Sequence, residues 1–173
     1  MRAAYRLFAT LLVLGFLLAG CDSADNRQQV KADPVAFEKG DECHVCGMII
    51  ERFPGPKGET ISADGKTTHK FCSTRDLMSW LLQPENRDRP MTVYVHDMAK
   101  VPWEKTGNQH LIDARKAWYV AGSSRKGAMG PTLASFASKA DAEAFAQEYG
   151  GEVLAFDAIS LDTLRQENHP MGG

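Results

Sequence analysis

Cys43, Cys46 and Met48 fall within six positions of the stretch DECHVCGMII, residues 41 to 50. A Cys-x-x-Cys pair can supply half of a structural zinc site, a redox-active dithiol, or part of a cradle for a soft metal ion. Zinc needs two further nitrogen or sulfur ligands, usually from a second such pair. Cys72 is solitary, and the histidines at 44, 69, 96, 110 and 169 are scattered. A redox dithiol built on Cys43 and Cys46 should open a helix, whose N-terminal field lowers the attacking thiol's pKa. Here Gly47, two adjacent isoleucines and Pro54-Gly55-Pro56 predict a strand and a turn instead. On a strand, Cys46 and Met48 project their sulfurs from one face. A thiolate paired with a thioether selects Cu(I), since zinc has little use for methionine. Cys43 joins the same ion if the chain turns before the strand.

Other donors need weighing against plain packing. Met129 sits in KGAMGP, an exposed glycine-rich loop where a core methionine is not expected, and is a candidate ligand. Met78 and Met91 lie within apolar helix and strand patterns and read as packing. Cys72 opens a helix, which suits either a lowered pKa or a small buried side chain. His96 ends a strand just before Asp97-Met98, and His44 lies inside the motif, where alternation points it away from Cys43. An ordinary polar strand end is the default reading for His96, and His69 reads as a surface histidine. His169 and Met171 belong to a polar tail.

The elements that must position these residues repeat. FCSTRDLMSWLL (71–82) and FASKADAEAFAQ (136–147) share Phe-x-Ser-x-x-Asp followed by apolar residues at helical spacing. Ser73 and Ser138 are predicted N-caps, with Asp76 and Asp141 at N3 near the positive helix end. A strand follows each helix, MTVYVHD and GEVLAFD, and strands precede each, with Asp64-Gly65 as a hairpin turn. The predicted fold class is α+β, with two tandem ββαβ halves forming one domain and a short helix near Leu161 to Gln166.

Residues 1–20 carry Arg2 and Arg6, an apolar run from Leu7 to Leu18 and small residues before Cys21, the pattern of a secretory signal peptide. Leu18-Ala19-Gly20-Cys21 looks like the lipobox of bacterial lipoproteins, making Cys21 the lipidated mature N-terminus. Asp22 favours retention at the inner membrane, with the outer membrane as the alternative. Residues 21–39 read as a flexible tether, 40–166 as the folded domain and 167–173 as a disordered tail. Without Arg2 and Arg6 the mature chain has 18 basic and 22 acidic side chains, and no basic patch suggests nucleic acid. Three thiols remain after lipidation, an odd number that cannot be fully paired in an oxidising compartment.

Six ordered blocks, CHVCGMII, PGPKGE, KFCSTRDLMSWLLQPE, YVHDMAK, LIDARKAWYV and GAMGPTLASF, resemble the NosL family of nitrous-oxide-reductase accessory lipoproteins. That resemblance implies a membrane-anchored periplasmic chaperone binding one Cu(I) per chain, for assembly of the copper–sulfide centre of nitrous oxide reductase. It implies an ABC-type membrane complex as partner and a fold related to the organomercurial lyase. It also implies cysteine, methionine and histidine ligands, carried here by Cys46 and Met48, then Met129 and Cys43, with His96 placed before His44. No acid is evidently poised beside the cysteines to protonate a carbanion, so no catalysis is expected.

Overall fold

A computed structural model describes residues 31–166; the signal peptide expected over residues 1–20, Cys21, His169 and Met171 lie outside the described residues. The first half opens with a hairpin, β1 (Gly58–Ser62) and β2 (Thr68–Phe71), in register from Gly58↔Phe71 to Ile61↔Thr68. Asp64 and Gly65 make its turn as predicted. The Asp64 carboxylate accepts from the Ser62 hydroxyl and the Lys66 N–H, and Gly65 takes φ +70°, a conformation costly for other residues. Helix α1 (Thr74–Leu81) then starts at Ser73, whose hydroxyl accepts from the Asp76 N–H. A single-turn helix α2 (Pro84–Arg87) begins on a proline, which has no N–H to leave unpaired. Strand β3 (Met91–His96) returns antiparallel to β1, and β4 (Leu111–Asp113) adds beyond it.

The second half repeats the plan. Strands β5 (Trp118–Ala121) and β8 (Ala134–Phe136) pair, helix α3 (Lys139–Tyr149) starts at Ser138, and β9 (Glu152–Ala155) returns beside β5. Sheet orders β2-β1-β3 and β8-β5-β9 are the same ββαβ topology, with β4 appended to the first. Helix α4 (Leu161–Gln166) packs against α1. The sheets meet where the Ser135 hydroxyl donates to the His96 carbonyl, Met98 N–H to Ser135 O, and Ala137 N–H to the Asp97 carboxylate. No helix among the described residues is long and apolar enough to cross a membrane.

Three expectations change. The strand predicted for Gly47 to Ile50 is absent: residues 43–48 form a tight loop closed by one bridge, Glu42↔Ile49, and Ile50–Arg52 turn as 3-10 helix. The glycine-rich KGAMGP stretch is a hairpin, β6 (Lys126–Gly127) and β7 (Gly130–Pro131), with Ala128 and Met129 at its tip. The tether expected over residues 21–39 does not hold over its last part. Val35 N–H donates to Glu59, Phe37 N–H to Asn108, and the Tyr94 hydroxyl to Ala32 O, strapping residues 32–37 to the first half. Sequence pattern missed this strap because its apolar residues follow no strand or helix period and its fastenings are main-chain groups.

Candidate metal centre

The 43–48 loop is built from its own backbone. Cys43 N–H donates to Met48 O at 2.9 Å and Gly47 N–H to Cys43 O at 2.8 Å, while Gly47 takes φ +71°. His44 N–H to Lys70 O, at 2.8 Å, fastens the loop to β2. Two residues further along from Lys70, between β2 and the Ser73 cap, stands Cys72. Asp76, at the third position of α1, is fixed by its N–H on Ser73 and lies one helical turn from Cys72.

These two elements bring Cys43, Cys46, Cys72 and Asp76 together, with all four ligand atoms within 4.8 Å of one another. The Cys46 and Cys72 sulfurs are 3.5 Å apart. Cys72 lies 3.3 Å and Cys43 3.6 Å from the same Asp76 oxygen. Such spacing is far longer than a disulfide's ~2.05 Å. It is close to the roughly 3.8 Å between ligand atoms of a tetrahedral site with ~2.3 Å metal–sulfur bonds. Cys43 and Cys72 are buried and Cys46 is half-buried, so the cluster opens through Cys46.

The local electrostatics favour a cation. The Cys72 thiol's hydrogen bond, with main-chain N–H groups of Cys72, Cys46 and Val45, draws Cys43 down to about 5. The same bond pushes Cys72 up, reinforced by burial, and burial raises Cys46. One negative charge is thus held readily on Cys43, and further ionisation beside it and Asp76 is opposed by like-charge repulsion. A metal ion at the centre removes that repulsion. Three thiolates and one carboxylate therefore fit a thiophilic ion.

The remaining sequence candidates divide. Cys46 and Met48 do not share a strand face, since both lie in or beside the turn. Met129 is half exposed on its hairpin tip, while neighbouring Ala128 packs against the core that contains Cys43 and Cys72. His96 is corrected to a core residue. It is fully buried, Lys57 N–H donates to its Nδ1 at 3.1 Å, and its Nε2 bonds Gly107 O at 3.0 Å. Both ring nitrogens are thereby committed to main chain, and burial pulls its pKa to about 4. His44 is exposed and stacks on His69 with centroids 3.8 Å apart, beside Trp80. It stands at the loop's outer side rather than in the quartet.

Cys72 and Asp76 were missing from the expected ligand set. The acid beside the cysteines, expected to be absent, is Asp76. Its signal was in the repeat: the shared Phe-x-Ser-x-x-Asp fixes Asp141 and Asp76 alike at N3, but only the first copy has cysteine before its serine.

Comparisons with known proteins agree with this placement of the fold. Residues 34–164 match the sequence model of the NosL family. The chain is similar to a protein named copper-binding lipoprotein NosL of Stutzerimonas stutzeri, 51% identical over 169 residues, covering 96% of this chain and 87% of that one. It is 34% identical over 134 residues to the copper-binding lipoprotein NosL of Achromobacter cycloclastes, covering 73% and 69%. The fold resembles the crystal structure of the copper chaperone NosL from Shewanella denitrificans. That match has a TM-score of 0.72 and 50% identity, covering 75% of this chain and 97% of that chain.

Proposed function

We propose, for a chain that belongs to the NosL family, that the Cys43–Cys46–Cys72 cluster carries Cu(I) as cargo. The observation that carries this reading is the convergence of three free thiols and Asp76 within 4.8 Å, with Cys46 as the most exposed of the thiols. Thiolates hold a soft monovalent ion strongly. One ligand at the rim lets an acceptor thiol or thioether replace it before the buried pair lets go. Met48, at the end of the same loop, and Met129, on the exposed hairpin tip, are the thioethers proposed to complete the copper site on its open side. His44 is the remaining nitrogen candidate.

The relatives named above are called copper-binding lipoproteins and a copper chaperone, not enzymes. For this chain we infer one Cu(I) per molecule, delivered toward the copper–sulfide centre of nitrous oxide reductase through an ABC-type membrane complex. Lipidation at Cys21 would hold the domain at the periplasmic face of a membrane. Anchoring raises the effective concentration of a membrane partner without any new contact. Replacing Cys21 with alanine should release the chain from the membrane fraction; retention there would remove the lipid anchor from the account.

Asp76 supports a second reading. An oxygen donor among three thiolates gives four ligands, the number and chemistry of a closed tetrahedral zinc site. X-ray absorption on protein loaded from equal buffered activities of Cu(I) and Zn(II) separates the two. Copper in a shell of sulfur, with or without one histidine nitrogen, supports the chaperone reading. Zinc alone in a mixed sulfur and oxygen shell supports the structural one.

A further inference from the structure

Lys57, in the PGPKGE block, has a position that cargo binding alone does not explain. It is 3% exposed, yet no carboxylate lies within ion-pair distance of it among the described residues. Its ammonium donates to Phe53 O at 2.7 Å and Pro54 O at 2.9 Å, two neutral acceptors for three N–H groups. A buried unpaired cation costs several kcal/mol in general unless negative charge nearby offsets it. The β1–β2 pairing runs up to the cluster: Gly58 pairs with Phe71, so Lys57 and Cys72 each stand next to the last pair, and Cys72 and Cys43 are the negative groups that act on the Lys57 ammonium. Thr74 N–H to Pro56 O, at 3.2 Å, binds the same two segments one residue further out.

We propose that Lys57 is the fixed counter-charge of the thiolate cluster and biases it toward a monovalent ion. This deepens the metal-binding reading above and rests on it. The charge balance gives the direction. Loading releases thiol protons to solvent and adds the ion, and no electrons move. For any number of protons released, the cluster holding a monovalent ion is one unit more negative than the cluster holding a divalent one. A neighbouring ammonium therefore stabilises the monovalent complex more. Lys57 touches no cargo; it acts through the thiolates as a positioning and selectivity residue.

The test compares the reduced full chain in detergent with Lys57→Met and Lys57→Arg. Affinities are read for Cu(I) by chelator competition and for Cd(II) by its thiolate charge-transfer absorption. Lys57→Met should weaken Cu(I) by about tenfold and Cd(II) by less, moving the preference toward the divalent ion. Lys57→Arg, which keeps the charge, should restore most of the Cu(I) affinity. A merely structural lysine would change both ions alike, or neither, and either result overturns the proposal. A wild-type chain that binds Cd(II) but not Cu(I) would sink the copper reading alone. In that case Lys57→Met must still weaken Cd(II) for the counter-charge to stand.

Discussion

Cys46 and Cys72 hold their sulfurs 3.5 Å apart although 26 residues separate them in the chain. The β1–β2 hairpin closes that distance, returning the chain at Lys70 to bond the loop at His44. Because Cys72 is fully buried and bonded to Asp76, it is a scaffold of the site, not a spare thiol. Cys72→Ser should therefore lower Cu(I) affinity at least as much as Cys46→Ser, by about a hundredfold on the scale of one lost strong ligand. Chelator competition measures it. Equal affinity in Cys72→Ser and wild type would remove Cys72 from the ligand set.

His96 contributes a pH-dependent stability whose sign is fixed by burial. Its pKa falls from 6.5 to about 4, so between those values the unfolded chain binds a proton that the folded chain does not. The stabilisation is complete above 6.5 and is lost as pH falls to 4, by about 3 kcal/mol in all. Glu59 acts in the opposite sense. Burial raises it from 4.5 to about 7, so its contribution is complete below 4.5 and is lost as pH rises through 7. Over their shared window the two offset each other. Glu59→Gln removes one of them, and urea unfolding at pH 5, 6 and 7.5 should then show a steep loss toward acid that wild type lacks. Parallel curves for the two proteins would refute the assignment.

Much of the fold was legible because local signals agreed with the global one. Ser73 and Ser138 were placed as caps, Asp64-Gly65 as a turn and β3 and β9 as the returning strands, each from residue type and spacing. The site was less so. Gly47 and the isoleucines suggested a strand, but Gly47 serves a left-handed turn and Ile50 is buried in the core. His96 looked like a strand-end ligand because sequence cannot show that Lys57 and Gly107 occupy both its nitrogens. Asp76 was recognised as a helix-start residue, and only the hairpin register shows that it also faces sulfur.

The N-terminal strap should contribute to stability rather than serve only as a leash. Phe37 stacks on His96 with centroids 5.7 Å apart and lies 5.6 Å from the Lys70 ammonium. Phe37→Ala should destabilise the domain by about 1–3 kcal/mol, read from the urea midpoint at an unchanged slope. A midpoint identical to wild type would mean the strap is not fastened.

Met129 tests the open side of the site. At half exposure on a hairpin tip it contributes little packing, so Met129→Leu should leave thermal stability within about 0.5 kcal/mol. Cu(I) release to a competing chelator should accelerate several-fold. Unchanged release kinetics would assign Met129 to the surface alone and leave Met48 as the thioether.

The most direct measurement is a Cu(I) titration of the reduced protein against a competing chelator, repeated with Cys43, Cys46 and Cys72 each changed to serine. One tightly bound ion per chain, lost in all three variants, is the predicted result. Tight binding that survives in these variants, or a chain that holds Zn(II) tightly and Cu(I) no better than Cys72→Ser does, would contradict it.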